Sequence, residues 1–472
     1  RLRAFDRQSR FVLRRYAAYG ADAQNRLVRR TGRKLKEARG QIALAKLLKE
    51  RNAVPSARLL SYVWRFSVPG MLAQVSSILM QYIDAAMVGR LGAQAAASIG
   101  LVSPALWMFG GLTHSIATGF TVQTAQAVGA GDGRRAKRLL RQAIVVCTIF
   151  SSVVASLSVS VIGMLPAWLG AEDAIRGDAS FYFSLFQLAL PVFQIVYLMS
   201  GMLQASGDMK TPAVLNALMC AFDVVFNYVF IIILDLGAAG AAYGSVCAAL
   251  VTAVLISYYT LRKSSELALI EKDTWKIDKG DFVRALKIGV PVGAEQTAWS
   301  GAVVAAMRFI APLGAVSLAA NSFAVTAESL CYMPGFGIQE AASTLVGQSV
   351  GAKRSDLAKR FARLTTASGM IVMTITGAIM YAICPAVFAF LTTDKAVRTL
   401  AVRVLRIELF AEPLFAAAIV ASGALRGAGD TLIPGIMNLA SLWGVRIVLT
   451  IFLVPRFGLY GAWIAMGIEL CF

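Results

Sequence analysis

The chain has 472 residues, 57% hydrophobic and 15% charged, with a formal net charge of +20. A soluble domain carries about 25% charged residues, interleaved with apolar ones at helical period, so this composition excludes a soluble fold. The charge excess does not point to nucleic acid: residues 1–60 hold seventeen Lys/Arg against four Asp/Glu, and the rest falls in short loops between apolar blocks. That is the placement of basic segments kept on the inner side of a membrane, against anionic lipid.

The basic N-terminus has no apolar core behind it, so no cleavable signal peptide is read there. The start at Arg1 rather than Met reads as a fragment. Blocks of roughly 18 or more apolar residues can cross a bilayer. They fall at about 62–88, 95–127, 139–165, 180–206, 212–235 and 238–261, then at about 286–311, 318–349, 360–391, 400–426, 434–454 and from 459 to the end. Repeated small residues suit close helix packing in lipid, and the short alternating strands of a β-barrel are absent from the pattern. The six cysteines all lie in apolar segments without a CxxC pair and read as small buried hydrophobes.

Loop charge sets the orientation. Arg134, Arg135, Lys137, Arg138 and Arg141 follow the second span; Arg262, Lys263, Lys272, Lys276 and Lys279 follow the sixth; Lys353, Arg354, Lys359 and Arg360 follow the eighth. The fourth span is preceded by Glu172, Asp173 and Asp178 against Arg176, whereas Lys395, Arg398 and Arg403 near Asp394 fit less well. Both termini are predicted to be cytoplasmic, in the inner (plasma) membrane.

A repeat runs through the chain at an offset of 222 residues. Pro69 matches Pro291, Gln74 matches Gln296, Leu91-Gly92 matches Leu313-Gly314, and Gln126 and Gly129 match Gln348 and Gly351. Lys137-Arg138 matches Lys359-Arg360, Pro191 matches Pro413, Gly201 matches Gly423, Gly207-Asp208 matches Gly429-Asp430, and Asn216 matches Asn438. Near the end the offset slips to 221, pairing Gly237 and Gly240 with Gly458 and Gly461. Six spans per repeat give both halves the same orientation, an arrangement that builds transporters with a central site and alternating access. The expected fold is an all-α polytopic membrane protein of 12 transmembrane helices in two parallel six-helix bundles. Its expected parts are a basic segment (1–60), an N-lobe (61–261), a linker (262–287) and a C-lobe (288–472). The repeat places the end of the twelfth span beyond Phe472, so the chain reads as cut short there.

Three segments carry a family likeness: Asp84-Ala-Ala-Met-Val-Gly-Arg-Leu-Gly92 in the first span, Tyr332-Met-Pro-Gly-Phe-Gly337 with Leu345-Val-Gly-Gln-Ser-Val-Gly-Ala352 in the eighth, and Leu425-Arg-Gly-Ala-Gly-Asp-Thr431 at the end of the tenth. From about residue 60 onward the chain resembles bacterial MATE (multidrug and toxic compound extrusion) transporters of the MOP superfamily. The basic region before residue 60 is longer than that family usually has. The resemblance implies export of organic, often cationic, compounds against an inward proton or sodium gradient.

A charge at mid-bilayer costs about 2.5–3.5 kcal/mol on insertion scales, so each needs a partner or a task. Gln74, Ser77, Gln81 and Asp84 form one helical stripe, and the family's first-helix Asp falls at Asp84. Asp223 and Asn227 share one face of the fifth span; family members with such an N-lobe site have Asn first and Asp second, the reverse of the order here. Glu295 lies four residues after Pro291. The NorM-type branch has a Glu about one turn further on, and its Asp in the tenth helix corresponds to Phe415 here, with Glu412 nearby. Asp84, Asp223, Asn227 and Glu295 are therefore the candidate proton or cation-coupling residues.

Gln74, Gln81, Gln296, Asn321, Glu328 and Tyr332 are the candidate cavity residues. A Glu beside an aromatic ring can hold an organic cation. The competing reading for these acids is structural pairing, with Arg308 and Arg446 as cations and Glu408, Glu412 and Glu469 as further acids. His114, the single histidine, fits either a proton relay or a structural hydrogen bond. Pro104, Pro191, Pro334 and Pro413 permit bends that serve gating or packing equally. Trp107, Tyr197, Met199 and Met333 suit an adaptable pocket or ordinary packing.

No phosphate loop, metal cluster or nucleophile–base arrangement is read, so no cofactor is expected and an ion gradient must supply the energy. The expected protein is a monomeric secondary transporter, not an enzyme, whose partners are a small organic substrate, H+ or Na+ and membrane lipid. Two rivals remain: a lipid-precursor flippase of the same superfamily, which usually has more helices and a cationic cavity, and a non-transporting scaffold that uses the basic segment.

Overall fold

A computed structural model gives the chain's architecture and describes residues 44–48, 50, 54–89, 91, 93–162, 173–269, 275, 277–392 and 394–472. Most of the basic N-terminal segment lies outside these residues, as do Gly92, Glu172, Lys272 and Lys276. The description below concerns the unit from Asn52 to Phe472.

No strand occurs among the described residues. The helices make twelve passes in two bundles of six. The first bundle comprises Ser56–Gly89, Ala93–Gly129, Gly133–Ser160, the broken pair Asp173–Leu188 and Leu190–Ala205, then Lys210–Asn227 and Gly237–Tyr258. The second comprises Lys279–Ile310, Ala315–Gly351, Ser355–Leu391, the pair Lys395–Glu408 and Glu412–Ala428, then Leu432–Leu439 running on to Phe457, and Leu459–Cys471. Seven described helices are long and apolar enough to cross a membrane on those criteria alone, and the bent pair makes an eighth. The other four passes, spans 7, 8, 10 and 12, all belong to the second bundle and hold Glu295, Gln296, Glu328, Gln339, Glu340, Glu408, Glu412 and Glu469. In spans 7 and 8 these polar side chains dilute the apolar signal, whereas span 10 is broken into segments of 14 and 17 residues and span 12 is an apolar helix of 13.

Several helices start earlier than hydropathy alone places them, at Ser56, Gly133, Lys279 and Ser355. The added turns are basic and extend the helix past the apolar block, where Lys and Arg stems lie along apolar surface with their charged ends in water. Asp132 caps the third span by accepting from the Arg135 N–H, and Asp278 caps the seventh by accepting from the Asp281 N–H. Pro191 and Pro413 sit in the first turn of the second segment of spans 4 and 10. There the missing N–H costs nothing and the preceding helix ends; the break in span 4 bends the chain by 45°.

The repeat is legible in the backbone. Gly131 and Lys353 share φ of 75° and 58°, Gly207 and Gly429 share 92° and 98°, and Gly237 and Gly458 share 57° and 58°. The last pair follows the slipped offset. The first two pairs end helices whose last carbonyls are taken up by the returning chain, as in Asp208 N–H to Leu203 O and Asp430 N–H to Leu425 O, both 3.0 Å, and the third pair opens spans 6 and 12.

The bundles meet along spans 1 and 8 and along spans 2 and 7, where absent side chains let backbones touch. A Cβ on Gly70 would lie 2.6 Å from Gly337 O, and one on Gly289 would lie 2.8 Å from Ser115 O. Large apolar side chains such as Leu72, Leu157, Val254, Ile371 and Phe452 point outward and are exposed, as a lipid-facing surface requires.

Candidate functional site

A cavity of about 920 Å³ lies between the bundles. Its wall comes from spans 1, 2, 4, 5 and 6 of the first bundle and from spans 7, 8 and 10 of the second. It extends from Ala125, Ala205 and Thr344 toward Val88 and Ile99.

The end carrying the basic loops is closed by a symmetric pair of contacts. Gln126 donates to the carbonyls of Gly427 and Ala428, both at 3.2 Å, and Gln348 donates to Ala205 O at 2.8 Å. The repeat relates Gln126 to Gln348 and Ala205 to Gly427. Gly129 and Gly351 make the approach possible, because a Cβ would lie 2.0 Å from Gln348 O and 1.9 Å from Gln126 O respectively. Arg284 donates to Gln126 Oε1 at 2.8 Å, and Asp281 pairs with Arg135 at 2.8 Å and Arg138 at 3.4 Å.

The polar stripe of span 1 faces this cavity: Gln74, Ser77, Gln81 and Asp84 all line it. Helical spacing alone could not say which way the stripe points. The packing of spans 5 and 8 against the rest of span 1 decides it. Asn227 donates one side-chain N–H to Asp84 Oδ1 at 2.8 Å and the other to Asp223 Oδ2 at 3.0 Å. Asp223 and Asn227 are buried. Gly244 of span 6 is what admits Asn227: a Cβ there would stand 1.9 Å from Asn227 Oδ1. The chain turns π-helical immediately after Asn227, over Tyr228–Ile233, a feature common at functional positions in helices.

The second bundle is arranged differently from the expectation. Glu295 does not line the cavity. It receives Arg426 Nη2 on both carboxylate oxygens, at 2.8 and 2.9 Å, and Asn438 Nδ2 at 2.7 Å. With a guanidinium already on both oxygens, it is not the open cation-binder read from span 7. Asn321, Glu328 and Tyr332 also lie away from the cavity. Asn321 accepts from Trp463 Nε1 at 3.0 Å, Tyr332 packs edge-on against Phe336 and Phe415, and Glu328 is buried. Span 8 packs here on spans 9 and 10, and Asn321 meets span 12 through Trp463.

Of the proposed structural ion pairs, Arg446 reaches Glu469 at 4.0 Å. Glu408 and Glu412, on either side of the break in span 10, have no hydrogen-bond partner among the described residues, and Arg308 has no acid within ion-pair distance among them. His114 lines the cavity and stacks on Tyr197 with ring centroids 3.9 Å apart. Trp107 lines it too, whereas Met199 is buried in the apolar core and Met333 is not part of the wall.

Gln296 lines the cavity as expected. Glu340 and Arg426 line it as well, and neither was singled out from the sequence. Their signal was present, since both are charged residues inside apolar spans, Arg426 at the end of span 10.

The MatE family model matches residues 69–229 and 291–452, two copies set 222 residues apart. The chain belongs to the MatE family. MatE proteins are secondary transporters, not enzymes, and this one is a multi-pass membrane protein. It is 27% identical over 421 residues to the probable multidrug resistance protein NorM of Thermotoga maritima, spanning 86% of this chain and 89% of that one. It is 25% identical over 417 residues to the probable multidrug resistance protein YoeA of Bacillus subtilis, spanning 85% and 90%. Its fold is shared by a multidrug resistance MATE family transporter of the MOP superfamily solved in an outward-facing conformation, with a TM-score of 0.81 at 19% identity over 89% of this chain and 96% of that one. The Vibrio cholerae MATE transporter VcmN superposes with a TM-score of 0.83 at 16% identity, over 88% and 94%.

Proposed function

We propose that this MatE protein is a cation-coupled antiporter that exports organic, often cationic, compounds through the cavity between its bundles. The observation that carries the reading is one amide, Asn227, bridging two carboxylates on the cavity side of the first bundle. Two acids so close to one another and withdrawn from water require a compensating proton or cation between them. Loading that charge favours one arrangement of the bundles; cargo in the cavity favours the other. A ligand shifts conformers only by its differential affinity, and competition between ion and cargo supplies that difference. The names of the relatives, multidrug resistance proteins, agree with export.

In this reading residues 61–261 form the N-lobe, 288–472 the C-lobe and 262–287 a cytoplasmic linker, in a plasma membrane. The basic-loop end closed by Gln126 and Gln348 then faces the cytoplasm, and the cavity awaits the opposite side. The test is export of ethidium from proteoliposomes under an imposed proton or sodium gradient. Export driven by one of the two gradients and lost in Asp84→Asn is expected. Export that persists unchanged in Asp84→Asn removes the bridged pair from the mechanism.

A further inference from the structure

The second-bundle wall of the cavity carries a charged pair that coupling at Asp84 and Asp223 does not use. Span 10 packs tightly on span 8: a Cβ on Gly423 would lie 2.4 Å from Gln339 Cγ, and one on Gly427 would lie 2.3 Å from Ser343 O. Between those glycines Arg426 emerges onto the wall beside Glu340, Ser343 and Thr344.

Arg426 is only partly committed. Both of its hydrogen bonds to Glu295 leave from Nη2, and Asn438 steadies that carboxylate by donating to Oε1. Its Nε is buried without a partner, and Nη1 donates to no described residue. Buried guanidinium N–H groups without acceptors are costly and call for an explanation. Glu340 likewise makes no hydrogen bond or ion pair with a described residue, and it lines the same cavity as Arg426. Tyr197, the ring stacked on His114, lines the same cavity from the first bundle. The second-bundle wall thus offers a carboxylate and a partly committed guanidinium, and the first bundle adds the stacked rings of His114 and Tyr197, within one cavity large enough for a drug-sized molecule.

We propose that Glu340 and Arg426 form a cargo subsite for amphoteric organic molecules, with Glu340 receiving the cationic end and Arg426 the carboxylate. A wall for purely cationic cargo gains nothing from a guanidinium that repels it, whereas a zwitterion satisfies both groups at once. Charge-assisted hydrogen bonds to Arg give this subsite its preference. The proposal deepens the transport reading above and rests on it; the ion site at Asp84 and the cargo subsite lie on opposite bundles.

The experiment uses two dyes that differ only in a carboxylate: rhodamine 123, a cationic methyl ester, and rhodamine 110, its free acid. Binding of each to the purified full chain in detergent is read by fluorescence anisotropy. The free acid is expected to bind about tenfold more tightly than the ester. Arg426→Gln brings the ratio to about one by weakening the free acid alone, and Arg426→Lys, which keeps the charge, retains part of it. Glu340→Gln weakens both dyes alike. Should Arg426→Gln fail to fold, the lysine variant and Glu340→Gln still decide. Equal binding of the two dyes by the wild-type protein, or a dye ratio untouched in Arg426→Lys and Arg426→Gln, overturns the subsite. Gradient-driven export of the ester, run in parallel, isolates the transport reading: ester export without preference for the free acid sinks only the subsite.

Discussion

Spans 5 and 11 occupy matching places in the two bundles, yet their chemistry differs. Asp223 and Asn227 stand in span 5 where the repeat puts Val445 and Leu449 in span 11, and Asp84 of span 1 stands opposite Ala306 of span 7. Conversely Glu295 and Arg426 of the second bundle match Ala73 and Gln204 of the first. Even the supporting residue follows this division: Gly244, which makes room for Asn227, matches Ala465 at the slipped offset. A duplicated backbone has kept its helix ends and its bundle-to-bundle contacts and divided its charges. The first bundle holds an amide-bridged acid pair, and the second a carboxylate–guanidinium clasp.

The largest effect that tests this division is at the acid pair. Asp84→Asn is expected to lower gradient-driven export at least about tenfold, the loss of roughly 1.4 kcal/mol or more of coupling. Adding Ala306→Asp in the matching place should not restore it; restored export would show that the bundles are interchangeable. Gly244→Ala should cut export several-fold and lower the thermal midpoint as well, because the added methyl would stand 1.9 Å from Asn227 Oδ1 and 2.9 Å from its backbone N, displacing the amide from both carboxylates and overpacking a buried site. Unaltered export with that methyl in place would mean the amide bridge is dispensable.

In the second bundle Glu295→Gln leaves Arg426 without its carboxylate. A cost of about 2 kcal/mol is expected for losing hydrogen bonds between charged groups at a mostly buried site, read as a lower thermal midpoint. Gln204→Ala in the first bundle should be much milder. The closing contacts differ in number: Gln126→Ala removes two donated hydrogen bonds and the acceptor of Arg284, Gln348→Ala one, each worth about 0.5–1.5 kcal/mol. Both should increase labelling of a cysteine placed at the basic end, Gln126→Ala the more, and a larger increase in Gln348→Ala would break that order. The smallest effect is at Asp278, whose carboxyl is held below the usual range by the Asp281 N–H it caps. A depressed value means that its contribution is present at neutral pH and fades as pH falls below about 4. Asp278→Ala should slightly flatten the acid limb of a thermal-midpoint profile and leave the neutral plateau little lower.

What the sequence determined by itself was whatever depends on local pattern and on counting along the chain. Apolar blocks marked the twelve spans, because lipid admits backbone only as helix or closed barrel and the alternation of barrel strands is absent from the pattern. The constant offset fixed the repeat, down to the residues that end matching helices with positive φ. Helical spacing joined Gln74, Ser77, Gln81 and Asp84 into one stripe and placed Asp223 beside Asn227. Only the tertiary structure decided which stripe meets water and which meets protein. Spans 1 and 8 both carry a polar face, but that of span 1 lines the cavity, while Asn321 and Glu328 turn toward Trp463 and the interior of the second bundle. Only packing between distant spans brought Arg426 onto Glu295, 131 residues earlier in the chain, and left Glu340 open on the wall. A side chain's partner across a bundle depends on how helices rotate against one another, and periodicity within one helix carries no record of that angle.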